Sequence, residues 1–431
     1  MKYPIFNFAF LLLAKFASGQ SYTAYFTGNT TDVSPTPLGG TCMMGGATED
    51  DNAMRWFLER ANGGDVLVLR ASGSDGYNDY FFDELGVAIN SVETIVFHDA
   101  AAASDTYVLQ QIANAEAIWL AGGDQWDYVS YWRNTQVSEI INQNIEDKNM
   151  VIGGTSAGMA ILGGIYFSAE NGTIQSSAAL ANPYNNSLTI SQEPFLKIPF
   201  LENVITDTHY DNPDRKGRQT VFLARAMKDW GVSAKGIACD EYTSVCIDNE
   251  GIAYVYGAYP NYDDNAYFLQ VNCLPPNEPE ICEPTLPLTW NRDNAAIKVF
   301  QIKGESSGSG SFDLNTWEVG TGGTWQNWYV ENGNLTTVNG AAINCDVVST
   351  GDFLERSVSV FPNPIENGIF KITSENLKIQ KVEIFNSLGH LIFKEKQKQY
   401  TYIFDLADQA KGIYWVKIYS QDSFITKKII Q

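Results

Sequence analysis

Residues 153–160 read Gly-Gly-Thr-Ser-Ala-Gly-Met-Ala and contain a Gly-x-Ser-x-Gly pattern centred on Ser156. An apolar run precedes this pattern and a run of small residues follows it. That order is typical of a sharp strand-to-helix turn that exposes one serine hydroxyl. A helix beginning at Ala157 would direct backbone N–H groups toward developing negative charge. The pattern therefore predicts a serine nucleophile beside an oxyanion-binding turn.

A serine nucleophile needs a base, and the chain has 3 histidines, at positions 98, 209 and 390. His390 lies near the C-terminus, in a region of different composition, and His98 ends a predicted strand before the serine. His209 lies in a polar turn that follows an apolar run. It comes after the serine, which is the order of many hydrolases built from βα units. We therefore predict Ser156 as nucleophile and His209 as base.

Short apolar runs alternate with helical patterns over residues 37–260. Residues 51–61 form an amphipathic pattern, and the predicted strands cover 65–69, 94–97, 117–120 and 151–152. Repeated βα units predict an α/β fold with a parallel sheet flanked by helices. Functional residues then gather at the carboxyl ends of the strands.

Both ends of the chain differ from this central region. Residues 1–19 predict a signal peptide, with Lys2 before a short apolar stretch and small residues at the cleavage point. Residues 20–350 form the predicted main domain, in which 260–350 are a strand-and-loop elaboration. In residues 351–431, basic residues are more frequent and short alternating strands predict a small β-sandwich.

Composition excludes some functions. The net charge of −22 disfavours a nucleic-acid-binding groove and is compatible with a cationic substrate. The absence of a C-x-x-C pair and the small number of histidines disfavour a structural zinc site. The 6 cysteines suit an exported protein. Sequence proximity suggests the pairs Cys239/Cys246 and Cys273/Cys282, which leaves Cys42 with Cys345.

Four motifs resemble those of cyanophycinases and related serine peptidases of family S51. In chain order they are Ala121-Gly122-Gly123-Asp124-Gln125, Gly154-Thr155-Ser156-Ala157-Gly158, Asp207-Thr208-His209-Tyr210 with Arg215 and Arg218, and Gly236-Ile237-Ala238-Cys239-Asp240-Glu241. The resemblance covers about residues 37–260. It implies a flavodoxin-like sheet of the class I glutamine amidotransferase type. It also implies hydrolysis of a peptide bond after an aspartyl unit, with no metal or cofactor.

The resemblance also implies roles for individual residues. Ser156 would be the nucleophile, His209 the base, and an acid shortly after the serine would orient the base, with Glu170 as the best-placed candidate. Backbone N–H groups of Gly123 and Ala157 would form the oxyanion hole. The predicted substrate-binding residues are Asp124, Gln125, Asp207, Arg215 and Arg218.

The chain departs from the cyanophycinase pattern after the histidine. Residues 211–214 interrupt an arginine-rich stretch and leave Arg215 and Arg218, and Thr208 stands where the family has glutamine. Because arginines suit the carboxylates of a poly-aspartate chain, these changes leave other aspartyl or β-linked peptides open as substrates.

The last 75 or so residues resemble the C-terminal sorting domain of the type IX secretion system. The matching pieces are Phe361-Pro362-Asn363-Pro364, Asn386-Ser387-Leu388-Gly389, Gly412-Ile413-Tyr414-Trp415-Val416 and Lys427-Lys428-Ile429-Ile430. The resemblance implies export across the outer membrane by that machinery, to the medium or the cell surface.

The sequence thus predicts a secreted serine exopeptidase that hydrolyses cyanophycin or related aspartyl peptides through an acyl-enzyme on Ser156. Two alternatives stay open: an α/β-hydrolase esterase, which shares the serine pattern, and a catalytically inactive surface-binding protein. The oligomeric state, including a homodimer, is also open.

Overall fold

The computed structural model describes residues 20–343, 357–374, 378–420 and 423–431. The chain divides into two compact units. The first runs to Val271 and continues over Pro279–Ala341, and the second comprises Asn272–Glu278 and the residues from Ala342 onward. The predicted signal peptide and the predicted domain boundary at residue 351 lie outside the described residues.

The helices of the first unit begin and end at residues suited to those positions. Asp50, Asp105 and Asp124 cap three of them by accepting backbone N–H groups of the first turn. The helices are α1 (Asp51–Arg60), α2 (Thr106–Asn114), α3 (Gln125–Trp132), α4 (Gln136–Lys148), α5 (Ala157–Ala160), α6 (Ser176–Ala181) and α7 (Lys216–Trp230). Within the described residues, no helix is both long enough and apolar enough to cross a membrane.

The strands of the first unit form two large sheets and one short pair. In chain order they are β1 (Tyr22–Gly28), β2 (Thr41–Met44), β3 (Asp65–Arg70), β4 (Ser91–Phe97), β5 (Ala117–Leu120), β6 (Val151–Thr155), β7 (Tyr166–Phe167), β8 (Ile190–Ser191), β9 (Val204–Asp207), β10 (Lys235–Cys239), β11 (Ser244–Ile247), β12 (Ile252–Tyr256), β13 (Asn265–Val271), β14 (Ile297–Lys303), β15 (Gly310–Asp313), β16 (Gly320–Thr321), β17 (Gly323–Glu331) and β18 (Asn334–Asn339).

The larger sheet has 10 strands in the order β1-β4-β3-β5-β6-β2-β11-β12-β15-β16. Its centre, β4-β3-β5-β6-β2, is parallel, and antiparallel strands extend it on both sides. Four of these strands follow the order expected of a flavodoxin-like sheet. The fifth place belongs to β2, which precedes the other four in the chain, so the sheet differs in this detail from the predicted fold.

Side chains alternate between the two faces of the parallel strands and bury both. Val66 and Val68 pack with α1 in one core cluster, whereas Leu67 and Leu69 pack in another with residues of α2, α3 and α4. Helices therefore cover both faces, as the apolar strand patterns predict. The parallel sheet flanked by helices is confirmed.

The second sheet has 6 strands in the order β18-β17-β14-β13-β10-β9. Only β9 and β10 are parallel neighbours in it, and the other pairs are antiparallel. Ile237 of β10 and Phe268 of β13 share a core cluster with Val245 of β11, so the two sheets of this unit pack on each other. The residues that follow β9 and β10 thereby come near the carboxyl end of β6.

The C-terminal unit consists of two antiparallel sheets around one hydrophobic core. Its strands are β19 (Val358–Glu366), β20 (Ile369–Ser374), β21 (Lys381–Asn386), β22 (Leu391–Glu395), β23 (Thr401–Asp405), β24 (Ile413–Ser420) and β25 (Ser423–Ile430). The sheet orders are β19-β20-β23 and β22-β21-β24-β25. Phe370 and Phe404 of the first and Val382 and Val416 of the second belong to the same cluster.

The cysteine pairs suggested by sequence proximity are wrong. Cys42, Cys239, Cys246 and Cys282 are free and buried, and Cys273 is disulfide-bonded. Each suggested pair contains a cysteine that is free in this structure, so none of the three pairs is bonded here. Cys345 lies outside the described residues.

Candidate active site

Ser156 occupies a strained turn at the carboxyl end of the parallel strand β6. Its φ of 51° and ψ of −115° are unfavourable for a residue with a side chain. Its N–H donates to the carbonyl of Met44, 3.1 Å away, which anchors the turn to β2. Gly158 is required here because a Cβ would collide with the carbonyl oxygen of Leu120. The backbone is therefore that of the predicted nucleophile turn.

His209 meets Ser156 from the second sheet. It follows β9, and its Nε2 lies 2.8 Å from Oγ of Ser156. Its backbone N–H donates to the carbonyl of Gly45 at 2.8 Å, which fixes the loop against the residues that follow β2. The predicted nucleophile and base thus lie within hydrogen-bonding distance of each other.

Glu241 completes the hydrogen-bonded chain. Its Oε1 lies 2.6 Å from Nδ1 of His209, and both side chains are about four-fifths buried, with exposures of 19% for Glu241 and 22% for His209. Since a carboxylate can only accept, Nδ1 carries the hydrogen and Nε2 is left to accept the serine proton. The Glu241 N–H donates in turn to Oδ1 of Asp211 at 2.9 Å.

The choice of Glu170 as the orienting acid is therefore wrong. Glu170 is exposed, and the ring nitrogen that it would have to contact is bonded to Glu241. The sequence did contain a signal, because Glu241 ends the Gly236–Glu241 motif just after β10. The register of β10 beside β9 brings the residues after both strands together.

A cleft of about 340 Å³ opens over Ser156 and His209. It is also lined by the Gly123-Asp124-Gln125 turn, by Ala169, Gly172 and Thr173, and by Thr208, Arg215 and Arg218. The turn lies directly against the nucleophile, since a Cβ on Gly122 would be 3.6 Å from Cβ of Ser156. Ala157 is the first residue of α5, so its N–H belongs to the helix end beside the serine.

Asp124 and Gln125 form one wall of the cleft. Asp124 is exposed and caps α3 by accepting the N–H of Trp126 at 2.9 Å. The Gln125 side chain donates from Nε2 to the carbonyl of Phe167 at 2.8 Å, which connects this wall to β7.

Arg218, which lines the cleft, is bound to Asp207. Nε of Arg218 donates to Oδ2 of Asp207 at 2.9 Å, and Nη2 donates to Oδ1, so the pair is bidentate. Nη1 donates to Oγ1 of Thr173 and to the carbonyl of Ile174 at 3.1 and 3.2 Å. The side chains are only 2% and 3% exposed. Because the two charges already neutralise each other, this pairing favours a structural role over the substrate-binding role predicted for Asp207 and Arg218.

Arg215 is better placed than Arg218 to bind an anionic group in the cleft. It is half-buried, and its Nη1 donates to the carbonyl of Thr208 at 2.9 Å. Within the described part of the chain, no atom accepts a hydrogen bond from its Nε or Nη2. Burial, together with the positive charge of Arg218, lowers the pKa of Arg215 to about 10, so it stays charged at neutral pH. An anionic group in the cleft would therefore find a guanidinium with free donors.

Comparison with known proteins finds similar sequences over the segment that holds these residues. Residues 74–255 match the model of peptidase family S51. A cyanophycinase of Trichormus variabilis is 28% identical over 176 residues, 41% of this chain and 53% of the relative. A cyanophycinase of Synechococcus elongatus is 24% identical over 230 residues, 51% of this chain and 66% of the relative. The chain thus spans about half to two-thirds of the length of these relatives.

Two solved structures are similar at a lower level. A peptidase from an acI-B1 actinobacterium has a TM-score of 0.38 and 14% identity, over 54% of this chain and 91% of that one. A putative peptidase E protein from Listeria monocytogenes EGD-e has a TM-score of 0.33 and 12% identity, over 51% and 98%. Scores this low establish neither fold nor function.

Residues 359–431 match a secretion system C-terminal sorting domain, which indicates type IX secretion and a secreted or cell-surface location. Ser156, His209 and Glu241 all lie within residues 74–255. We therefore identify the chain as similar to peptidase family S51 over that segment, followed by a C-terminal sorting domain.

Proposed function

We propose that this protein is a secreted serine peptidase that hydrolyses cyanophycin or related aspartyl peptides through an acyl-enzyme on Ser156. The observation that carries the proposal is the continuous hydrogen-bonded chain from Ser156 Oγ through His209 to Glu241 at the base of an open cleft. A nucleophile, a base and an orienting acid in this order constitute a catalytic triad.

Each group has a defined task in this mechanism. His209 Nε2 takes the proton from Ser156 Oγ as the oxygen attacks the carbonyl carbon, and Glu241 stabilises the imidazolium that forms. Backbone N–H groups of Gly123 and Ala157 would bind the tetrahedral oxyanion. His209 then protonates the leaving amine, and a water molecule activated by the same base hydrolyses the acyl-enzyme.

The charges around the cleft favour an aspartyl substrate. Arg215 offers free guanidinium donors, and a substrate carboxylate would accept them. Cyanophycin carries arginine on the side chains of a poly-aspartate backbone, so it also presents cations to a protein with a net charge of −22. The exposed carboxylate of Asp124 is a candidate partner for such a cation.

Mass spectrometry of reaction products tests this proposal. The purified full chain is incubated separately with cyanophycin, with β-aspartyl-arginine peptides and with a simple nitrophenyl ester, and the Ser156→Ala variant is the control. We expect aspartyl–arginine products from the wild type and none from the variant. Cleavage of the ester alone would support the esterase alternative, and no turnover of any substrate would support an inactive binding protein.

A further inference from the structure

Two buried cysteines face each other across neighbouring strands near the candidate site. Cys42 of β2 and Cys246 of β11 are direct partners in the antiparallel register. Both are fully buried, and their Sγ atoms are 3.5 Å apart. Neither belongs to the hydrogen-bonded chain of Ser156, His209 and Glu241.

The register places this pair where a disulfide can form. The Gly45 N–H donates to the carbonyl of Thr243 at 2.9 Å, which makes Gly45 and Thr243 a hydrogen-bonded pair. Because the two kinds of pair alternate along an antiparallel ladder, Cys42 and Cys246, three residues away, are a non-hydrogen-bonded pair. Cα atoms in such pairs are roughly 4.5 Å apart, inside the range of about 4.4–6.8 Å that disulfides span.

The other free thiols lie elsewhere in the core. Cys42 and Cys246 share the cluster under α1. Cys239 belongs to the cluster between the two sheets, and Cys282 to a third cluster around α7. Cys273 is already disulfide-bonded, so the chain forms at least one such bond.

We propose that Cys42 and Cys246 join in a disulfide when the chain is exported. Both S–H bonds break and one S–S bond forms. The two electrons and two protons pass to the disulfide of a dithiol–disulfide oxidant, which is reduced to its dithiol. Such oxidants act on exported bacterial proteins, and the sorting domain indicates that this chain is exported.

The environment of these two thiols favours their oxidation before the core closes around them. Burial raises the pKa of Cys246 well above its ordinary value, so the thiolate that attacks a disulfide is scarce in the folded protein. We therefore infer that oxidation accompanies folding after export, and that α1 then shields the bond from reductants.

The bond would stabilise the strands that connect the candidate catalytic residues. The carbonyls of the segment directly after Cys42 and Met43 accept three hydrogen bonds. Met44 accepts the N–H of Ser156, Gly45 that of His209, and Gly46 that of Tyr242, the neighbour of Glu241. A link between β2 and β11 would hold this segment in register, whatever reaction the cleft catalyses.

Peptide mapping tests the proposal directly. The full chain is recovered after export, denatured, alkylated without reductant and digested. We expect one linked peptide pair containing Cys42 and Cys246, with alkylation on Cys239 and Cys282. Alkylated Cys42 and Cys246, or a bond from either to another cysteine, would overturn the proposal.

Thermal unfolding of Cys42→Ala, Cys246→Ala and the double variant provides a second test, with Cys282→Ala as a control for loss of a buried free thiol. If the bond exists, the thermal midpoints of both single variants and of the double variant should decrease by a similar amount, roughly 4–8 °C. Reductant should then lower the midpoint of the wild type more than that of the double variant, in which only the disulfide of Cys273 can respond. An equal response of the two proteins would contradict the bond.

Discussion

Gly46 packs directly against the imidazole ring of His209. A Cβ at Gly46 would overlap both Cε1 and Nε2 of the ring, and the φ of +119° at Gly46 is one that residues with side chains rarely adopt. The absence of a side chain at this position therefore allows His209 to reach Ser156. The Gly45-Gly46 segment is part of the site even though neither residue has chemistry of its own.

We expect Gly46→Ala to displace His209 and to lower kcat/KM by about 10²-fold or more, because a displacement near 1 Å has a cost of that size. The matched control is Gly86→Ala, since Gly86 has a φ of +70° but no atom near the position of its Cβ. Steady-state kinetics and thermal midpoints of both variants provide the test. Equal activity of the two folded variants would mean that the His209 ring tolerates a Cβ at position 46.

Glu241 and Glu170 form a second matched pair. We expect Glu241→Gln to lower kcat by roughly 10³- to 10⁴-fold, because an amide cannot stabilise the imidazolium and can favour the wrong tautomer. Glu170→Gln should change kcat less than about twofold, because exposed substitutions away from the chemistry have small effects. Kinetics of both variants on one aspartyl peptide show which glutamate orients His209. A larger loss for Glu170→Gln than for Glu241→Gln would support Glu170 as the orienting acid.

Arg215 should recognise a carboxylate of the substrate. Loss of an Arg–carboxylate hydrogen bond costs about 1.5–3 kcal/mol, so Arg215→Ala should lower kcat/KM on aspartyl peptides by roughly 10- to 150-fold. Arg215→Lys should recover part of this loss, because it keeps the charge without the fork of donors. The change should be absent with a peptide whose aspartate is replaced by asparagine. An equal loss on both peptides would indicate that Arg215 has a structural role and does not bind the substrate carboxylate.

Arg218 should respond differently because it is committed to Asp207. Arg218→Ala leaves the Asp207 carboxylate buried and unpaired, and breaking such a pair costs about 3–5 kcal/mol of stability. We expect a large decrease in the midpoint of chemical denaturation and a smaller effect for Arg215→Ala. A stable Arg218→Ala protein with a raised KM would instead support the substrate-binding role that the sequence predicts.

Asp240 should make stability depend on pH. It is 2% exposed, and burial, together with the negative charge of Asp211, raises its pKa from 3.8 to about 7. The folded state therefore retains a proton that the unfolded chain releases, so its stability falls as pH rises from about 4 through 7.

Asp240→Asn keeps the acceptor that Asn265 uses at 2.8 Å and removes the charge. We expect the midpoint of the variant to rise relative to the wild type between pH 4 and 8, corresponding to a free-energy difference of up to about 4 kcal/mol. Burial also raises the pKa of other acids, such as that of Glu116 to about 7. These acids contribute equally to the pH dependence of both proteins, so their contribution cancels when the two are compared. A difference that does not change with pH would contradict this role.

Residues with a local signal were predictable from sequence. The apolar runs at 65–69 and 117–120 identify β3 and β5, and the glycine pattern identifies the turn at Ser156. In contrast, β2 has four residues, Thr-Cys-Met-Met, without a strand signature. Its place between β6 and β11 depends on long-range pairing that no local pattern encodes.

The same reason explains the errors at the site. Glu170 is nearer to Ser156 in sequence than Glu241 is, but parallel pairing of β9 and β10 brings Glu241 to His209. Asp207 and Arg218 carry charges suited to a substrate, and only their mutual distance shows that they neutralise each other. Sequence identified the types of residues at the site, whereas tertiary contacts decide which of them are free to act.

The most direct test of the account is the turnover of Ser156→Ala, His209→Ala and the double variant on a β-aspartyl-arginine peptide, with folding confirmed by thermal midpoints. If Ser156 and His209, which lie 2.8 Å apart, act as one unit, each single variant should lose at least about 10⁴-fold in kcat, and the double variant should be no slower than either. Wild-type turnover by folded Ser156→Ala, or losses that multiply in the double variant, would contradict a Ser156–His209 catalytic pair.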